Sequence, residues 1–75
     1  MNLNTIGEML QNEYPKLEFL VTKISEVRLK LDVIINAFQR FEVFLLIHKD
    51  KSNDENFSDF TKIIDEQLVL YFKIP

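Results

Sequence analysis

The chain has 75 residues, with twelve acidic and nine basic side chains, a net charge of −3, no cysteine and a single histidine. These counts exclude a scaffold held by disulfides and a histidine and cysteine zinc site, and the negative charge argues against nucleic acid as a partner. The 47% of hydrophobic residues, including seven phenylalanines, indicate a chain that folds rather than one that is disordered.

The N-terminus has no basic segment followed by an apolar run, so no signal peptide is predicted. The longest apolar run, residues 43–47, is far shorter than the ~18 residues that a membrane-spanning helix needs. The sequence therefore predicts a soluble cytoplasmic protein. One domain over residues 1–75 is expected, and because so short a domain buries only about 60% of its unfolded surface, it should gain stability by binding a second chain.

The first predicted element is a short helix over residues 5–13. Thr5 and Glu8 fit a capping box, and Ile6 and Leu10 lie four residues apart on one helical face. Pro15 ends this helix, because its ring disfavours the helical conformation of the preceding residue. The same proline suits the first position of a second helix.

The second predicted element is a long helix over residues 15–49. Its apolar residues recur at alternating steps of three and four, which is typical of one buried helical face. The face comprises Leu17, Leu20, Ile24, Val27, Leu31, Ile34, Phe38, Phe41 and Leu45. An alternative stays open for residues 27–35, where apolar residues alternate with Arg28, Lys30 and Asp32 as in a half-buried strand. The absence of Asn-Gly, Asp-Gly or Pro-Gly turns between residues 16 and 48 favours the helix.

The third predicted element is a helix over residues 56–73, after a polar loop that begins at His48. Ser52 with Glu55, or Asn56 with Asp59, is suited to cap it. Apolar residues again follow helical spacing, at Phe57, Phe60, Ile63, Ile64, Leu68 and Tyr71. The sequence thus predicts an all-α fold, in which a short helix precedes a helical hairpin. The long helix would be too long for the other two to cover, so dimerisation through its nine-residue apolar face should complete a helical bundle.

No catalytic, metal or cofactor site is predicted. His48 has no serine in a recognisable nucleophile motif near it, and the chain has no glycine-rich phosphate loop. We therefore expect a protein that is not an enzyme but a protein–protein interaction module, namely an adaptor, an assembly chaperone or an inhibitor. Its partners would be a second copy of itself and an unidentified protein. The residues expected to bind that protein lie off the main helical face: Phe19, Val21, Tyr71, Phe72 and Ile74.

An alternative function is a dimeric regulator that binds DNA. Lys16, Lys23 and Lys30 recur every seven residues, and Arg28 and Arg40 are near them in sequence, which would form a weak basic stripe on a helix. Acidic residues interrupt the stripe, so nucleic acid is the less favoured partner.

Overall fold

The chain forms an α+β fold, and the all-α prediction is wrong. The computed structural model describes residues 2–72, without the side chain of Phe72. Its elements are α1 (Leu3–Glu13), β1 (Glu18–Lys23), β2 (Arg28–Asn36), β3 (Gln39–Leu46) and α2 (Asn53–Phe72). The segment predicted as one helix over residues 15–49 is instead a sheet of three strands, so no helical hairpin or helical bundle is present in the described residues.

Helix α1 lies close to the predicted range, but it begins two residues earlier. Asn2 is its N-cap, and the Asn2 side chain accepts a 2.8 Å hydrogen bond from the Thr5 amide. The expected capping box at Thr5 is therefore wrong, because an asparagine three residues upstream satisfies the same kind of free donor. The helix ends before Pro15, as predicted, and buries Ile6 and Leu10.

The three strands form an antiparallel meander in the order β1, β2, β3. Asp32 on the central strand β2 pairs with Leu20 on β1 and with Glu42 on β3, and these pairs define the register of the sheet. Odd-numbered strand residues, such as Leu31 and Val43, point toward the helices and are buried. The strand alternative for residues 27–35 is thus the correct one, with β1 and β3 as its pairing partners.

Two turns without glycine or proline connect the strands. In the first, the Ser25 hydroxyl oxygen accepts hydrogen bonds from the amides of Val27 and Arg28 at 3.4 and 3.2 Å. In the second, Asn36 Oδ1 accepts a 2.8 Å bond from the Phe38 amide. No residue between 2 and 72 has a positive φ, so these turns do not need the left-handed conformation that glycine favours.

Helix α2 confirms the third predicted helix, although it begins at Asn53. The predicted Ser52 and Glu55 cap is present: the Glu55 amide donates to the Ser52 hydroxyl oxygen at 3.1 Å, and the Ser52 amide donates to Glu55 Oε1 at 3.0 Å. Phe60 and Ile64 are buried, while Phe57, Ile63 and Leu68 are partly buried against the core.

Both helices cover the same face of the sheet, which makes a structure of two layers. The buried core contains residues from both helices and from the two strands β2 and β3: Ile6, Leu10, Leu29, Leu31, Val33, Phe41, Val43, Leu45, Phe60 and Ile64. The other face of the sheet has no described element packed on it. Within residues 2–72, neither helix is long and apolar enough to cross a membrane.

Candidate interaction surface on the uncovered face of the sheet

The sheet face that points away from the helices is here named the open face. It carries the even-numbered residues of three segments, 18–24, 28–34 and 40–46. Four of its large apolar side chains are exposed to a high degree: Leu20 57%, Ile24 50%, Phe44 61% and Leu46 47%. Solvated sheet faces normally carry polar residues. The open face is therefore unusually apolar for a surface that water covers.

A group of charged residues lies at the centre of the open face. Asp32 is only 3% exposed, although no helix covers it. Its Oδ1 is 3.4 Å from Nη2 of Arg40, and its Oδ2 is 3.9 Å from Nζ of Lys30. Lys30 Nζ is also 3.7 Å from Oε1 of Glu42. Two cations thus lie beside the buried Asp32 carboxylate, and their attraction offsets part of the cost of its burial.

The charges of the open face are divided along the strands. Arg28 and Lys30 lie toward the end where β2 begins, and Asp32 and Glu42 lie in the next row of side chains toward the other end. Glu18 and Arg40 occupy the last row at that other end. One half of the face is therefore basic and the other half is net acidic.

The most apolar part of the open face is at its basic end. Ile24, Phe44 and Leu46 line a depression of about 400 Å³ there, together with Arg28. Phe44 and Leu46 also line a second depression of about 360 Å³ on the side of the molecule toward α2. The apolar surface thus continues from the open face around the edge strand β3.

The structure separates the nine residues predicted for self-association into four groups. Leu31, Phe41 and Leu45 are buried in the core of the same chain, and Leu17 and Val27 are partly buried. Leu20, Ile24 and Ile34 lie on the open face, while Phe38, at the tip of the second turn, is 96% exposed. The predicted helical face does not exist, but three of its residues share a surface that a second chain can reach.

The residues predicted to bind another protein do not form one surface. Phe19 and Val21 line a groove of about 560 Å³ between β1 and α1, with Gly7 on the helix side. Tyr71 lies at the end of α2, with its ring stacked on Phe41 at 4.9 Å between centroids. Ile74 and the side chain of Phe72 lie outside the described residues.

His48, the histidine considered as a catalytic residue, lies in the connection between β3 and α2. His48 is partly exposed and lines the second depression with Asp59, Lys62 and Glu66, but no serine or threonine lines it. Its main chain is held by Asn56, which accepts a 2.9 Å bond from the His48 amide and donates a 3.0 Å bond to the His48 carbonyl. Within residues 2–72, no three side chains of the histidine, aspartate or glutamate type are grouped as metal ligands would be.

The lysines of the expected basic stripe are separated. Lys16 precedes β1, and Lys23 ends β1 on the side of the sheet toward the helices. Lys30 lies on the open face, where Asp32 and Glu42 are its ionic neighbours. The spacing of seven would have placed these residues on one side of a helix, and that helix is absent.

Four main members of the open face are not among the residues predicted for binding: Phe44, Leu46, Asp32 and Glu42. Residues 39–46 give no clear alternation that would mark them, because even and odd positions there are both partly apolar. No protein-family model, curated protein or solved structure matches the chain.

Proposed function

We propose that this chain is a non-catalytic protein–protein interaction module that binds through its open face. One observation carries the proposal: Leu20, Ile24, Phe44 and Leu46 are about half exposed on a sheet face that no described element covers. A partner that covered these side chains would gain about 25 cal/mol of binding free energy for each Å² of apolar surface buried. An adaptor, an assembly chaperone or an inhibitor would all use a surface of this kind. The cytoplasmic location stays a prediction from the sequence.

A protein fits this surface better than a small ligand or a nucleic acid does. The depression beside Ile24 and Phe44 is open and lies at one end of the face, whereas sites for small ligands enclose most of the ligand. A nucleic acid would meet Asp32 next to both Lys30 and Arg40, and Glu42 next to Lys30. A protein can bury the apolar side chains and also pair with charges of both signs.

The test is photochemical cross-linking in the cells in which the chain naturally occurs. Phe44 is replaced by p-benzoylphenylalanine, which keeps an aromatic ring in the most apolar part of the proposed surface. The matched control carries the same photoreactive residue at Asn12, an exposed position on α1 that lies on the other side of the molecule. We expect a discrete protein adduct from position 44 and none from position 12.

The mass of the adduct then identifies what is bound. An adduct with a second copy or with a different protein supports a protein-binding open face. Absence of any adduct at position 44, or equal adducts at both positions, would overturn the proposal.

A further inference from the structure

We infer that the partner of the open face is a second copy of the same chain, packed face to face with its strands antiparallel to those of the first. The inference rests on the proposed function and names the partner of that same surface. A two-fold axis would lie between the two sheets and run across the strands, so the basic half of each face would cover the acidic half of the other. Such an interface is isologous, since both copies use the same residues.

The first argument is the distribution of net charge. The open face carries three acidic residues, Glu18, Asp32 and Glu42, and three basic residues, Arg28, Lys30 and Arg40. Its net charge is zero, so the whole net charge of −3 lies on the rest of the chain. Two copies repel one another through every other part of their surface on average. The open face is where two copies approach without that repulsion.

The second argument is the order of charges on the central strand, which is the strand most shielded from water when two sheets stack. In the antiparallel arrangement Asp32 of each copy lies opposite Lys30 of the other. In the parallel arrangement Arg28, Lys30 and Asp32 would each lie opposite themselves, and like charges in a desolvated strip are unfavourable. Favourable pairs at the edge strands contribute less, because they remain in contact with water.

Apolar side chains of the two copies also contact one another at both ends of the interface. With antiparallel strands, Ile24 and Leu46 of one copy lie opposite Glu18 and Arg40 of the other, and each reaches Ile34 of that row diagonally. The two-fold axis repeats these contacts at the opposite end of the interface. Three strands of seven residues cover roughly 14 by 23 Å on each copy, which is smaller than a standard specific interface, so we expect a weak dimer with a dissociation constant of about 10 μM or higher.

The first measurement is the mass of the purified chain by sedimentation equilibrium, from about 1 μM to 1 mM, a range that brackets micromolar dissociation constants. We expect a monomer at the low end and a dimer at the high end. Glu42→Lys places a cation diagonally opposite Lys30 of the second copy, and we expect it to weaken the dimer about tenfold or more. Glu8→Lys changes the net charge by the same amount on α1, away from the open face, and should not weaken the dimer.

The second measurement fixes the orientation with a short bismaleimide cross-linker, since the natural chain has no cysteine. A mixture of Glu18→Cys and Ile24→Cys chains should yield a covalent dimer, because these positions are opposite one another in the antiparallel arrangement. A mixture of Ile24→Cys and Leu46→Cys chains should not, because those positions meet only with parallel strands. Both pairs lie on exposed side chains, so the fold does not depend on them.

The outcomes separate this inference from the proposed function. A monomer at all concentrations, together with an adduct between position 44 and another protein, would overturn the second copy and leave the protein-binding face intact. A dimer that Glu42→Lys leaves unchanged would overturn the face-to-face contact. Cross-linking of the Ile24 and Leu46 pair alone would overturn the antiparallel orientation. If Glu42→Lys fails to fold, the cross-linking result decides.

Discussion

The hydroxyl of Tyr14 donates a 2.6 Å hydrogen bond to Oδ1 of Asp65, and this bond ties the end of α1 to the middle of α2. The same hydroxyl lies 3.4 Å from the Thr61 carbonyl oxygen, and the Tyr14 ring is 5.8 Å from the Phe19 ring between centroids. The two helices are separated in sequence by the whole sheet. This contact therefore joins the first and last elements of the helical layer.

Replacing Tyr14 with phenylalanine removes this hydroxyl and keeps the ring. Because the bond is made to a charged acceptor in a partly exposed site, we expect the free energy of unfolding to fall by about 1 kcal/mol. Tyr71→Phe is the matched control, since the Tyr71 hydroxyl reaches only a main-chain oxygen, that of Arg40, at 3.4 Å. Urea denaturation followed by circular dichroism measures both. Equal losses in the two variants would contradict a specific role for the Asp65 contact.

The same contact makes stability depend on alkaline pH. The pKa of Tyr14 is raised above its ordinary value, chiefly because burial disfavours the phenolate and also because the hydrogen bond and the charge of Asp65 favour the protonated form. The unfolded chain releases this proton near pH 10, so the contribution is complete below about pH 10 and is lost as the pH rises through the folded pKa. We expect the wild-type chain to lose stability above pH 10 more steeply than Tyr14→Phe does. Parallel curves from pH 9 to 12 would contradict this.

Asn56 closes the connection between β3 and α2, and it is only 2% exposed. Its side-chain amide bonds both the amide and the carbonyl of His48, as a neighbouring strand would. Alanine at position 56 leaves these main-chain groups without partners, so we expect a loss of about 2 to 3 kcal/mol in the free energy of unfolding. Asn53→Ala, at the exposed first residue of α2, should cost less than about 0.5 kcal/mol. A loss at Asn56 as small as that at Asn53 would show that water replaces the amide.

The two helices could be predicted from the sequence because local signals agree there. Pro15 marks the end of α1, the cap of Ser52 and Glu55 marks the start of α2, and Phe60 and Ile64 follow helical spacing. For such segments local propensity and burial point to the same structure. The predicted and observed helices differ mainly at their starts, where the cap at Asn2 and the first turn of α2 were not predicted.

The sheet could not be predicted in the same way, because its two faces are both partly apolar. Leu31 and Leu45 belong to the core, whereas Leu20, Ile24 and Ile34 belong to the open face, and read together they imitate a single helical face. A strand with one polar face would have shown a clear alternation. The apolar open face, which is the candidate site, is thus the same feature that concealed the strands.

The two turns also conceal the strands, because they contain neither glycine nor proline. The strands are connected without an Asn-Gly, Asp-Gly or Pro-Gly turn, because Ser25 and Asn36 close the two turns with side-chain oxygens. Serine and asparagine bond to nearby main-chain amides in this way without a left-handed residue. The charged group at Asp32 could not be foreseen either, because Arg40 reaches it across the strand pair rather than along one helix.

Gly7 is a place where α1 can be stabilised. A β-carbon at this position would meet nothing within 4 Å, apart from the chain neighbours and the helix backbone. Alanine has a higher helix propensity and restricts the unfolded chain, so Gly7→Ala should raise the free energy of unfolding by about 0.5 to 1 kcal/mol. Asn12→Ala, at an exposed position of the same helix, should give a gain of at most about 0.5 kcal/mol. A loss of stability in Gly7→Ala would mean that the groove beside Phe19 and Val21 is narrower than the structure shows.

Removing the buried carboxylate of Asp32 should cost less stability than removing the two cations that lie beside it. Asp32→Asn leaves Lys30 and Arg40 in contact with water, because their side chains are 33% and 63% exposed. We therefore expect the free energy of unfolding to fall by about 1 kcal/mol. Replacing both cations with methionine leaves a charge that is 4% exposed without a cation. We expect that double variant to lose about 2 kcal/mol, less than a fully buried pair would, since Arg40 is largely solvated.

The two sets of changes can then be combined on one chain. If the cost in the methionine variant comes from the unpaired carboxylate, adding Asp32→Asn to it should restore part of the lost stability, because no buried charge remains. Urea denaturation of the four chains, at a concentration low enough to keep them monomeric, measures this coupling. Additive losses would instead show that Lys30 and Arg40 act through the packing of their aliphatic stems on the open face, independently of Asp32.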